Sequence, residues 1–136
     1  MHGIVLVKGL QTEKLPDSLL HLVESEYQHF LGGTHGLVTI VRLQLDAALG
    51  PNVAFALAQE LKPARYYARL NNDDLMYVAF PRTVVRIDRA VPRSSELARA
   101  VGRVFEVDVA HMRFEEMFEL DHPEMHFDPQ SNTGRP

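Results

Sequence analysis

A chain of 136 residues, 46% apolar and 24% charged, has the size and composition of one soluble globular domain, able to bury roughly two thirds of its unfolded surface. Its net charge of −4 argues against nucleic acid as a partner, and the absence of cysteine excludes disulfides, thiolate catalysis and cysteine-held metal centres. No stretch approaches the ~18 apolar residues of a membrane span, and the apolar run of residues 4–7, broken by Lys8, is too short for a signal-peptide core, so a cytoplasmic protein with no membrane partner is expected.

The same β-branched run predicts a first strand over residues 3–9, buried on both faces and so inside a sheet. Pro16-Asp17-Ser18 reads as a helix start, and Leu19, Leu20, Val23, Tyr27, Phe30 and Leu31 recur at helical spacing before Gly32-Gly33, which predicts an amphipathic helix. Residues 37–45 alternate, with Leu37, Thr39, Val41, Leu43 and Leu45 on one face, and form a strand. Gly50-Pro51-Asn52 opens a second helix that Pro63 forbids from continuing.

Residues 65–70 and 75–80 are β-type runs around Asn71-Asn72-Asp73-Asp74, a cluster that tolerates turn conformations, so they predict a hairpin. Residues 83–87 read as an extension of its second arm beyond a bulge or edge at Pro81. A helix from Ser94 or Ser95, with Leu97, Ala98, Val101, Val104 and Phe105 as its buried stripe, completes a β-α-β-α-β-β-α order. That order packs as a two-layer α+β sandwich, ferredoxin-like in general character, with a mixed four-stranded sheet and helices on one face. Residues 1–130 form the single domain, and 131–136 are polar and aperiodic, as in a disordered tail.

Leu61-Lys62-Pro63, Tyr66-Tyr67, the run from Tyr77 to Pro81 and the stretch 105–114 resemble small bacterial proteins of unknown function built as compact α+β domains with this order of elements. The resemblance covers residues 55–114 and implies a fold without implying chemistry. Where such proteins carry a Gly-Ile-Pro turn after the last helix, this chain has Glu106-Val107-Asp108.

Charge reverses sign within the last third. Residues 82–103 hold six arginines against Asp88 and Glu96, a surplus of four positive charges; residues 104–128 hold eight acids against Arg113, a surplus of seven negative. Neighbouring segments of opposite sign attract, so the acidic stretch is expected to dock on this subunit or on a neighbouring one. An additional helix over 109–120 would present Phe114, Met117, Phe118 and Leu120, an apolar surface that calls for a partner and suggests a homodimer.

Three constellations bear on chemistry. Asp121, His122 and His126, with Glu124 and Asp128 beside them, carry donor types suited to zinc, nickel or manganese, although Pro123 stands where a metalloprotease motif needs glutamate; a solvated acidic tail is the plainer reading. Period-two geometry can place Arg65, Tyr67 and Arg69 on one face of the hairpin sheet; with Tyr77 and Arg86 they form a candidate ligand-binding set for a carboxylate or phosphate, or a dimer or tail interface. His21 with Glu24, and Glu26 with His29, lie one turn apart on the predicted first helix and read best as surface pairs. No nucleophile elbow and no glycine-rich phosphate loop is present.

The leading expectation is a non-enzymatic binding or interaction protein, homodimeric, without a cofactor, whose Arg/Tyr-bearing sheet face contacts a partner or a small anionic ligand. The alternative is a small enzyme or metal-dependent sensor using the histidines and carboxylates of the C-terminal segment.

Overall fold

The computed structural model describes residues 1–31 and 36–123. Six strands form one sheet: β1 (His2–Leu6), β2 (Val23–Phe30), β3 (Leu37–Gln44), β4 (Ala68–Asn71), β5 (Leu75–Phe80) and β6 (Thr83–Asp88), in the spatial order β2-β3-β1-β4-β5-β6. Every pairing is antiparallel. Helices α1 (Gly50–Glu60) and α2 (Pro92–Val104), a single turn α3 (Phe114–Met117) and short 3-10 segments are the other elements among the described residues.

The fold is α+β as expected, but the expected four-stranded mixed sheet with helices on one face is corrected to six antiparallel strands covered on both faces. Adjacent residues of a strand point to opposite faces, and the core divides accordingly. Val5, Val41, Leu43, Leu70 and Ala79 pack under Val53, Ala54, Leu57 and Ala58 of α1. Met76, Val78, Phe80 and Ile87 pack on the other face under Ala98 of α2 with Met112, Phe114 and Phe118. The strand order is also not that of a ferredoxin-like sheet.

Two segments supply the additional strands. Residues 17–22 form only a 3-10 segment, and the expected helix gives way to β2. Val23, Tyr27 and Phe30 fit a helical stripe, but the same segment also alternates: Tyr27 pairs with Ile40 and His29 with Val38 on one face, while Glu24, Glu26 and Gln28 lie in exposed positions. Seven residues paired with β3 decide the contest, because propensity yields to tertiary context. The added reversal is also what makes β3 run antiparallel to β1. At residue 81 the strand does not continue; Pro81 occupies the first corner of a tight turn and Arg82, at φ 54°, the second, as in a type II turn, so Phe80 pairs with Thr83 and β6 folds back on β5.

The expected helix over 109–120 is a 3-10 turn (Val109–His111) followed by α3. Breaking the helix at Met112 and Arg113 lets Met112, Phe114, Met117 and Phe118 all reach the sheet, where they are buried. Gly102 on α2 admits this close approach: a Cβ there would meet the Met112 sulfur at 2.3 Å. The apolar surface expected to need a second subunit is thus covered by the chain's own sheet, whereas Leu97 and Val104, expected in the buried stripe of α2, are exposed.

The two charged stretches meet within the chain. Arg99 holds Glu115 through two bonds of 2.7 and 2.8 Å, Ser95 donates to the same carboxylate at 2.7 Å, and Arg89 pairs with Glu119. These contacts clamp the C-terminal segment onto α2 and the β6 end of the sheet. Residues 131–136, read as a disordered tail, lie outside the described residues.

Candidate functional site

The face that carries Met76 and Val78 changes character as it crosses to β1, β3 and β2. Ile4 is paired with Arg42 of β3 on one side and Arg69 of β4 on the other, so two guanidinium side chains flank an isoleucine in one cross-strand row. Leu6, Ile40 and Tyr27 form the next row. His2 and Asn71, also paired, continue the face beyond Ile4 and Arg69. Opposite residues in such a sheet have Cβ atoms about 5 Å apart, which makes each row a contiguous surface.

The chain crosses this surface after α3. Asp121 places Oδ1 2.9 Å from His2 Nε2 and accepts from Arg42 at Oδ2, while its backbone carbonyl accepts from Arg69. Arg69, only 3% exposed, also donates to Asn71 Oδ1 at 3.0 Å. Arg42 is braced from its other edge by Glu24 at 2.7 Å. The His2 hydrogen bond, with the charges of His2, Arg42 and Arg69, holds the Asp121 carboxyl down to about 2 against the opposing effect of burial.

His122 follows, with Nε2 2.6 Å from the Tyr27 hydroxyl and its ring stacked on buried His29 at 4.1 Å between centroids. Between this strap and the sheet lies a cavity of about 90 Å³, lined by Ile4, Leu6, Leu31, Ile40, Tyr66, Val107 and Met117 on its apolar sides and by Arg65, Tyr67, Arg69, His111, Asp121 and His122 at its polar ones. By the measure that one water occupies roughly 10–15 Å³, the space suits a small organic molecule. Tyr67 is fixed at its edge: the hydroxyl donates to the His111 carbonyl and lies 3.7 Å from the Met117 sulfur, and the ring stands edge-on to Phe114.

The residues singled out in the sequence divide between the two faces. Tyr67 and Arg69 meet Asp121 and His122 at the cavity. Tyr77 and Arg86, paired with each other across β5 and β6, lie on the opposite face. Tyr77 packs there on the start of α1, where its ring would stand 2.9 Å from a Cβ at Gly50, and Arg86 is exposed. His126 lies outside the described residues, as do Glu124 and Asp128. Among the described residues, no group of three or more histidines and carboxylates is arranged to hold a metal ion. Glu26 and His29 are not helical neighbours; three residues apart in a strand, they face opposite sides of the sheet.

The structure adds His2, Tyr27, His29, Arg42 and Asn71 to this cluster. The signal for the β2 pair was the alternation of 23–30, and for Arg42 its position in the strand read at 37–45. His2 to Asp121 spans 119 residues, and no spacing rule reaches that far.

No family model matches the chain, and no curated protein and no solved structure is significantly similar to it. Among the described residues no helix is long and apolar enough to cross a membrane.

Proposed function

We propose that the chain is a non-enzymatic binding protein whose cavity, between the β1-β3-β4 surface and the strap at 121–123, takes a small anion with an apolar body. The observation that carries this reading is Arg69, a nearly fully buried guanidinium at the floor of a largely apolar cavity. Burying a cation costs several kcal/mol unless partners offset it, and a hydrophobic side chain would fill the same position at no such cost. A cation kept in that position beside Ile4, Leu6 and Ile40 suits a ligand with one charged end and one greasy end.

The test is a methyl-resolved NMR titration of the protein with short carboxylates and phosphate monoesters. Shifts confined to the methyl groups that line the cavity, Ile4, Leu6, Leu31, Ile40, Val107 and Met117, saturating with one ligand per chain and lost in a folded Arg69→Met variant, are the expected result. Binding that survives Arg69→Met unchanged, or shifts scattered over the surface, would remove the reading.

The short Tyr27–His122 contact at the same cavity favours a second reading, a small enzyme in which this imidazole moves a proton. The two part on the fate of the ligand, since recovery of the bound molecule chemically unchanged after prolonged incubation is what a binding protein gives. Homodimerisation loses its original support with the burial of Phe114, Met117 and Phe118. Exposed Leu97 and Val104 on α2 are the apolar residues left for it, and native mass spectrometry reads the subunit count directly.

A further inference from the structure

Resting on the reading of the cavity as a small-anion pocket, we propose that the Asp121 carboxylate is a built-in stand-in for the ligand's own carboxylate, and that small monocarboxylates bind by displacing it from His2 and Arg42, drawing the Asp121 backbone carbonyl off Arg69 as the strap moves. Three adjacent strands each supply one nitrogen donor to Asp121: His2 from β1 at 2.9 Å, Arg42 from β3, and Arg69 from β4. The two carboxylate oxygens go to different donors, which is the two-pronged match that a carboxylate makes with a cationic cradle.

Two of the three donors have partners besides Asp121. Arg69 is braced by Asn71 at 3.0 Å and Arg42 by Glu24 at 2.7 Å, and all sit on paired strands in fixed register. Asp121, by contrast, lies in a segment without regular secondary structure. That segment is tied down by its own contacts to the cradle, by His122 on Tyr27 and His29, and by a 3.4 Å bond from Arg113 to the Pro123 carbonyl. The cradle is rigid and its occupant is on a tether, the arrangement in which an intramolecular group competes with a free ligand.

Asp121 is also a wall of the cavity. A molecule whose carboxylate takes its place has its body beside Ile4, Leu6, Ile40 and Tyr67. One carboxylate replaces another, so the cluster keeps its charge balance, and the apolar body adds burial that Asp121 cannot supply. The cavity of about 90 Å³ limits that body to roughly six to nine water positions, the size of an aryl ring or a short alkyl chain. Because Asp121 must leave first, the observed dissociation constant is the intrinsic one divided by the fraction of molecules with the cradle open.

The experiment is a calorimetric titration of the full chain and of Asp121→Ala with benzoate and hexanoate, with acetate as the ligand that lacks an apolar body. The expected result is binding at least tenfold tighter in Asp121→Ala than in the unaltered chain, with acetate much the weakest ligand. In the unaltered chain, saturating benzoate should also carry the His122 imidazole resonances from their ring-stacked position toward free histidine, because release of Asp121 takes His122 off His29. Equal or weaker binding by a folded Asp121→Ala, while the unaltered chain binds, overturns the displacement and leaves the pocket reading intact. If Asp121→Ala does not fold, His122 decides alone, and resonances that stay put at saturation overturn it. No binding of these carboxylates by either protein overturns the displacement, and if phosphate monoesters also fail in the NMR titration the pocket reading falls with it.

Discussion

The two halves of one sheet face follow the same antiparallel register and differ in what covers them. Over β4, β5 and β6, Met76, Val78, Phe80 and Ile87 meet α2, Met112, Phe114 and Phe118 in a dry layer. Over β2, β3 and β1, the same side of the sheet presents Tyr27, His29, Arg42 and His2 around Ile4 and Ile40, and beside them Arg69 stands on β4; here the cover includes the strap at 121–123. Apolar burial stabilises roughly in proportion to area, whereas a buried cation contributes little net stability against a hydrophobic replacement. The first half therefore accounts for stability, and the second is where the molecule departs from what stability alone would select. The C-terminal segment serves both, packing as core through Phe114 and as a polar plug through Asp121.

That division breaks most visibly at Phe114, whose ring is fully buried between α2 and Tyr67. Phe114→Ala is expected to lose about 3–5 kcal/mol by urea unfolding, since a cavity is left among residues that cannot all collapse into it. It should also loosen the pocket, because Tyr67 and Met117 share that packing. A loss under 1 kcal/mol would show that the segment is not part of the core.

Acid tests the polar half. Asp121 and Glu115 are both held at about 2, below their ordinary values near 4, by His2 and by Arg99 respectively. A carboxyl with a depressed folded value stabilises fully above its unfolded value, and that contribution is lost as pH falls through the folded one. These two carboxyls should therefore contribute fully down to about pH 5, and stability should fall by about 1–2 kcal/mol for the pair together between pH 4 and 2, a figure already reduced for solvent screening of partly exposed groups. Asp121→Asn should flatten part of that slope, and a slope identical to the unaltered chain's would contradict the assignment.

Parts of this molecule could be read from the chain because they are local. Gly50-Pro51 and Pro63 bracket α1, and the alternation at 37–45 marks β3. Residues 23–30 satisfy both a 3.6-residue and a two-residue period, and the choice belongs to β3, which lies outside the segment. Tyr67 and Arg69 are legible by alternation within the run 65–70, although the strand itself begins only at Ala68. Extending the set to Tyr77 and Arg86 required the register between strands: Arg69 pairs with Val78, so Tyr77 necessarily faces the other way. His2, Arg42 and Asp121 come together only through the complete sheet; the charge reversal in the last third marks the separate contacts of Arg99 with Glu115 and Arg89 with Glu119.

The charge reversal itself supplies the smallest effect. Glu115 joins Arg99 and Ser95 across the dry half, with its side chain more than half exposed. Glu115→Gln keeps the size and one hydrogen-bond acceptor while removing the charge, so about 0.5–1 kcal/mol is expected, shrinking as salt is raised. Ligand affinity at the pocket should not follow it, because the Glu115 contacts run to α2 and none of them reaches the cavity. A parallel fall in affinity would mean that the clamp on α2 also sets the position of Asp121, and the two halves of the face would then have to be treated as one coupled unit, not as neighbours with separate tasks.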